Sequence, residues 1–195
     1  MFKSHFYAML SRMKYINRWG LMRNTRNENL SEHSLDVAFI AHALAIISKN
    51  KLGNTEISPE KVAVAAMFHD TTEIITGDMP TPIKYYNPEI KDAYKQIEKV
   101  AEDRLVSMLP DYFKSEISLA YQMDEHTMKL VKAADKLSAL IKCIEELNMG
   151  NKEFLSAKKS TEKSIKSLKL KEVDIFMDEF LDSFYLTLDE QKLDD

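Results

Sequence analysis

The chain has 195 residues, 45% of them apolar, which is enough to bury one substantial core, and its net charge of −4 argues against a nucleic-acid polymer as ligand. A single cysteine, Cys143, excludes an internal disulfide and a cysteine zinc cluster, and it suits a core position in a reducing compartment. The most apolar stretch, 37–47, is 11 residues long and interrupted by His42, against the roughly 20 that a bilayer span needs. The N-terminus, "MFKSHFYAMLSRMKYINRW", breaks its apolar residues too often for a signal peptide. We expect a soluble, cytoplasmic protein with no membrane partner.

All four glycines and all five prolines fall between apolar-periodic segments, as helix breakers do in an all-helical domain. The patterning predicts an all-α, single-domain bundle of about eight helices: 3–17, 31–50, 59–76, 88–109, 111–122, 126–149, 151–167 and 172–187. Residues 1–27 hold Lys3, Arg12, Lys14, Arg18, Arg23 and Arg26 with no acid, which reads either as a solvated face or as a local anion site. The end of the chain is its opposite, with nine acids in 172–195 against Lys192.

The second helix begins at a Ser31 cap. His33, Val37, Ile40, Leu44 and Ile47 share one stripe, so His33 faces the core, either as a satisfied histidine or as a ligand. His42 lies about half a turn out of phase. The third helix opens with Ser58-Pro59-Glu60 and carries His69, Asp70 and Glu73 at i, i+1 and i+4 inside "AAMFHDTTEII". An ionised carboxylate buried there needs a partner, a metal ion or a basic side chain.

Gly77 suits the residue after a helix end. The irregular stretch "GDMPTPIKYYNP" leads to the Asn87-Pro88-Glu89 start of the fourth helix, and such loops often carry binding groups. On the sixth helix Asp135 sits at the margin of the stripe Val131, Ala134, Leu137 or Ser138, and Ile141, beside small alanines. It suits a ligand or a salt bridge to Lys132 or Lys136. Together His33, His69, Asp70 and Asp135 form a mixed N/O set from three helices, suited to a divalent transition metal such as Co²⁺ or Mn²⁺ in an open catalytic site.

The pattern His33, His69-Asp70, Asp135 resembles the HD-domain superfamily of metal-dependent phosphohydrolases. "LSRMKYINRW", "RNENLSEHSLDVA", "MFHDTTEIITGDMPTPIKYY" and "KAADKLSALIKCIEEL" are more closely similar to the bacterial 5′-deoxynucleotidases, which hydrolyse deoxyribonucleoside 5′-monophosphates. The similarity runs into "FYLTLDE" near the end of the chain. It implies a homodimer with one divalent metal per subunit, held by His33, His69, Asp70 and Asp135. It also implies substrate contacts from Arg18, Trp19, Asp78, Met79, Pro80 and Thr81, and from the ligand positions His33, Asp70 and Asp135, with Glu73 in the acid–base role. The metal-binding core would then span about 28–150, with 1–27 supplying substrate contacts and 151–187 the C-terminal helices. Gly20 stands where the resemblance leads us to expect proline, which bears on how firmly Arg18-Trp19 is held.

A phosphomonoester resists water because both are electron-rich, so the phosphate must be neutralised and the leaving oxygen protonated. Arg18 is the candidate for the phosphate oxygens. Glu73 could handle the proton or orient a ligand histidine; Asp78 could meet the sugar 3′-hydroxyl, share the acid–base role or simply shape the turn. Trp19 could wall the sugar or base pocket or pack in the core. The competing functions are another HD-type hydrolase, acting on a triphosphate, a cyclic dinucleotide or an alarmone, and a non-catalytic metal-binding helical module.

Overall fold

The run Asn29-Leu30-Ser31-Glu32 starts the central helix by closing donors in both directions. The Asn29 side chain accepts from the Ser31 and Glu32 N–H groups, and the Glu32 carboxylate accepts the Asn29 N–H. The cap is therefore Asn29 and not Ser31, because Asn29 has the extended backbone and the side-chain acceptor that a cap requires. This computed structural model describes residues 3–84 and 86–191, apart from the side chains of Thr81 and Pro82.

The helices are α1 (Phe6–Leu10), α2 (Leu30–Asn50), α3 (Pro59–Phe68), α4 (Glu73–Thr76), α5 (Thr81–Lys84), α6 (Pro88–Ser107), α7 (Asp111–Tyr121), α8 (Glu125–Asn148), α9 (Leu155–Leu168) and α10 (Lys171–Phe180). The only strand-like feature among the described residues is an isolated antiparallel bridge, Asn17 to Asn29. Ser58 and Asn87 cap α3 and α6, each ahead of a proline in the first turn.

Helix α2 lies at the centre, packed on α3, α8 and α10. Its His33, Val37, Ile40, Leu44 and Ile47 are all buried, as the stripe predicts. Ala41 and Ala45 on α2, Ala65 and Ala66 on α3, and Ala133 and Ala134 on α8 let the backbones approach closely. Leu130, Leu137, Leu140 and Ile144 of α8, Ile165 of α9, and Val173 and Phe176 of α10 complete this core, and Cys143 is buried too. A smaller cluster joins Phe6 to Leu105 and Leu109. By length and mean hydropathy α2 could cross a membrane, yet one face of it, Val37, Ile40, Leu44 and Ile47 included, fills the core.

Four predicted helices are broken, 151–167 among them, which opens with a 3₁₀ turn at Lys152–Phe154 before α9. The segment 59–76 stops at Phe68, turns through 69–72, and resumes as α4. Here the N–H groups of His69, Thr71, Glu73, Ile74 and Ile75 bond three residues back, and Thr71 Oγ1 also donates to the Phe68 carbonyl. The N-terminal helix passes into a 3₁₀ turn at Ser11–Tyr15, and α10 passes into another at Leu181–Tyr185. Gly77 has φ +75°, a conformation that closes α4 and that side chains disfavour.

The N-terminal segment is pinned to α8 by one carboxylate. Glu146, fully buried, accepts the Thr25 and Arg26 backbone N–H groups, the Asn151 side-chain amide and the Lys142 ammonium at 2.6 Å. Lys142 also donates to the Arg26 carbonyl. Glu146→Ala should lower the unfolding free energy by about 3–5 kcal/mol, because it leaves the buried ammonium without its counter-charge. A loss below about 1 kcal/mol in urea denaturation would contradict this role.

Candidate metal centre and active site

Each member of the predicted cluster is placed by a different local device. His33 projects from the first turn of α2 into the core and is wholly buried. His69 and Asp70 occupy the tight turn after α3, where the break in the helix aims both side chains inward. Asp135 extends from the middle of α8. Arg18 arrives on a hairpin whose Asn17–Asn29 bridge, Arg18 N–H to Glu28 carbonyl bond and Leu30 N–H to Ile16 carbonyl bond fold it over the start of α2.

One ligand atom from each of His33, His69, Asp70 and Asp135 falls within a group whose members all lie within 4.8 Å of one another. His33 Nε2 is 3.2 Å from Asp135 Oδ1 and 3.5 Å from Asp70 Oδ2; His69 Nε2 is 3.1 Å from Asp70 Oδ2. Both Nε2 atoms are buried without a hydrogen bond of acceptable geometry. Their Nδ1 atoms are engaged instead: His69 Nδ1 donates to the Ala66 carbonyl at 2.7 Å, and His33 Nδ1 is 3.3 Å from Ser138 Oγ. That leaves two Nε2 lone pairs and two carboxylates facing one centre, which is the donor set a divalent cation takes.

The electrostatics agree. Burial and the Arg18 guanidinium disfavour a charged His33, yet Asp135, Asp70 and Glu28 outweigh them and raise its pKa to about 10. Burial also works against an ionised Asp70, but His69 and His33 hold its carboxyl well below the usual range. The centre thus favours positive charge, as a proton on His33 or as a cation in that proton's place. Arg18 supplies some at its rim, with Nη1 3.5 Å from Asp70 and Nη2 3.8 Å from Asp135. Asp135 pairs with Arg18 and His33 rather than with Lys132 or Lys136. His42 is half-buried and takes no part in the cluster.

A family model described as 5′-deoxynucleotidase YfbR-like matches residues 5–184. The chain belongs to this YfbR-like family. A 5′-deoxynucleotidase from Photobacterium profundum is 53% identical over 194 residues, covering 96% of this chain and 98% of its own. One from Yersinia pestis is 53% identical over 196 residues, covering 98% of each. Among solved structures, an HD-domain phosphohydrolase from Listeria innocua shares the fold with a TM-score of 0.80 at 22% identity, covering 96% of this chain and 92% of its own. So does a cyanophage S-2L HD phosphohydrolase bound to dA and one catalytic Zn²⁺ ion, with a TM-score of 0.67 at 21% identity and coverage of 92% and 96%.

In the YfbR-like chain, Glu73 opens α4 and is buried, with Oε2 lacking a partner and Oε1 3.9 Å from Lys84 Nζ. Burial, reinforced by Asp70 and Asp78, raises its pKa to about 9. Asp78 is half-buried beyond Gly77, and burial raises its pKa too. Met79 and Pro80 continue that loop half-buried, and Thr81 opens α5 with a side chain outside the described residues. Trp19 has φ +57° and is braced on several sides: its carbonyl accepts from Met22 N–H and Asn24, its ring centroid lies 5.4 Å from that of Phe154, and its indole N–H donates to Glu28. These contacts hold the Arg18-Trp19 pair in place.

Three residues near the site escape a reading of the sequence: Glu28, Ser138 and Lys84. Glu28 offers the clearest signal, an acid that ends an otherwise basic segment just before a helix cap. Lys84 is held by Glu98 at 3.0 Å and lies over the Tyr94 ring.

Glu73 also gives stability a pH dependence. Its folded pKa of about 9 exceeds the ordinary 4.5, so between these values the folded chain keeps a proton that the unfolded chain releases. Its contribution to stability therefore falls as pH rises through that window. In thermal denaturation of the metal-free protein, Glu73→Gln should gain on the wild type steadily between about pH 5 and 9. A constant difference would contradict the shift.

Proposed function

We propose that this YfbR-like chain hydrolyses deoxyribonucleoside 5′-monophosphates to deoxyribonucleoside and phosphate, with one divalent transition metal held by His33, His69, Asp70 and Asp135. The observation that carries this reading is the pair of buried, unsatisfied Nε2 atoms facing two carboxylates. The relatives named 5′-deoxynucleotidase, 53% identical over nearly the whole chain, support the reaction. Co²⁺ or Mn²⁺ suits the N/O donor set.

A divalent cation supplies Lewis acidity, drawing charge from the phosphate and activating water. The chain's own residues do the rest. Arg18 is 12% exposed and already desolvated at the rim of the centre, so its guanidinium is positioned to take phosphate oxygens. Glu73 holds its proton at neutral pH and suits donation to the departing 5′-oxygen. Asp78 and the Met79, Pro80, Thr81 loop border the sugar side, and Trp19 forms the wall that a 2′-hydroxyl would meet. Homodimerisation belongs to the same proposal; exposed Leu35, Phe39 and Ile46, at i, i+4 and i+11 on α2, supply an apolar stripe for it.

Phosphate release from a panel of deoxyribo- and ribonucleoside 5′-monophosphates tests the reading. Chelation should abolish turnover and added Co²⁺ or Mn²⁺ should restore it, while Asp70→Asn should lose both metal and activity. Full activity in verified metal-free protein, or tripolyphosphate release from triphosphates as the preferred reaction, would overturn it.

Selectivity for the deoxy sugar has its own test. An apolar pocket rejects an added hydroxyl by only about 10²-fold, so stronger discrimination rests on Trp19 displacing the ribonucleotide from its reactive pose. Trp19→Ala should narrow the ratio of kcat/KM between deoxyribo- and ribonucleotides, chiefly by improving the ribonucleotide. An unchanged ratio would make Trp19 purely structural.

A further inference from the structure

We infer that Glu28 is a positioning residue that couples sugar recognition to the metal centre, an inference that rests on the deoxynucleotidase reading above. Its carboxylate is divided between three functional side chains. Oε2 accepts the Trp19 indole N–H at 2.8 Å and lies 3.6 Å from Arg18 Nε. Oε1 lies 3.6 Å from His33 Nδ1. The side chain is only 10% exposed, so these charges interact without much solvent between them.

Each link has a separate consequence. A histidine that presents its Nε2 lone pair to a cation carries its proton on Nδ1, and an anion beside that proton fixes the tautomer and makes the ring a better donor. Ser138 Oγ also approaches this nitrogen, but a hydroxyl brings no charge. Arg18 is flanked by three carboxylates, of which Asp70 and Asp135 belong to the metal cluster. Glu28 does not, so it remains the guanidinium's own counter-charge. Trp19 has an unfavourable backbone conformation, and its ring is gripped between Phe154 on one side and the Glu28 acceptor at its N–H. One carboxylate thus sets the angle of the sugar wall, the phosphate arm and a metal ligand.

Two conservative variants test the links to His33 and to Trp19 separately. Glu28→Gln keeps the shape and can still accept the indole N–H, but it removes the charge beside His33 and Arg18. Co²⁺ affinity, measured by calorimetry on the folded metal-free protein, should drop about 10- to 100-fold, the usual effect of losing such a partner. Trp19→Phe removes the donor to Glu28, and with it one of the indole's two rings, but keeps an aromatic wall. It should retain Co²⁺ affinity while the deoxyribo-to-ribonucleotide ratio of kcat/KM falls.

Wild-type Co²⁺ affinity in folded Glu28→Gln would overturn the link to His33, and an unchanged sugar ratio in Trp19→Phe would overturn the link to selectivity. If the wild-type protein hydrolysed neither class of monophosphate, the proposed function would fail while the Co²⁺ titration still reported on Glu28 and His33.

Discussion

The structure turns on a concentration of charge that the helical core would not tolerate unpaired. Asp70, Asp135 and Glu28 converge on His33, a side chain with no exposure to solvent; without a cation their attraction raises its pKa to about 10, and a cation at Nε2 would take the place of that proton. A buried carboxylate without compensation costs several kcal/mol, so Asp70 and Glu28, both largely buried, with the half-exposed Asp135 beside them, require positive charge at that place. Arg18 supplies part of it, and the two Nε2 atoms without a partner suit a cation that would supply the remainder.

The surrounding fold can be understood as support for that point. Small residues on α2, α3 and α8 bring three helices close enough for their side chains to meet. The break after Phe68 turns two consecutive residues toward one centre, which a continuous helix would separate by about 100°. Glu146 anchors the backbone of Thr25 and Arg26 to α8, and so fixes the segment that brings Arg18 and Trp19 to the rim. The N-terminal basic residues therefore divide by role: Arg18 turns inward, whereas Arg23 and Arg26 pair with Glu153 and Glu32 near the surface.

The helical periodicity of the sequence made His33 legible, because one stripe of α2 carried it into the core with Val37, Ile40, Leu44 and Ile47. Asp135 was legible for the same reason. His69 and Asp70 were identifiable, but their geometry was not: the turn depends on backbone bonds that apolar spacing does not encode, and the Thr71 hydroxyl that supports it looks like any other helix surface residue. Asn29 displaced Ser31 as the cap because both can cap, and only the backbone conformation decides between them. Glu28 stood out by its position in the sequence, but its partners did not. Its partners lie up to ten residues away along a hairpin held by one isolated bridge, too short to leave a strand pattern.

The central claim is that one cation binds through the Nε2 atoms of both histidines. X-ray absorption at the Co²⁺ edge of the reconstituted protein measures this directly. The account predicts one site per chain with two imidazole nitrogens and a remainder of oxygen donors, reduced to a single imidazole in His33→Ala and in His69→Ala. A site with fewer than two imidazoles in the wild type, or one that either substitution leaves unchanged, would contradict it.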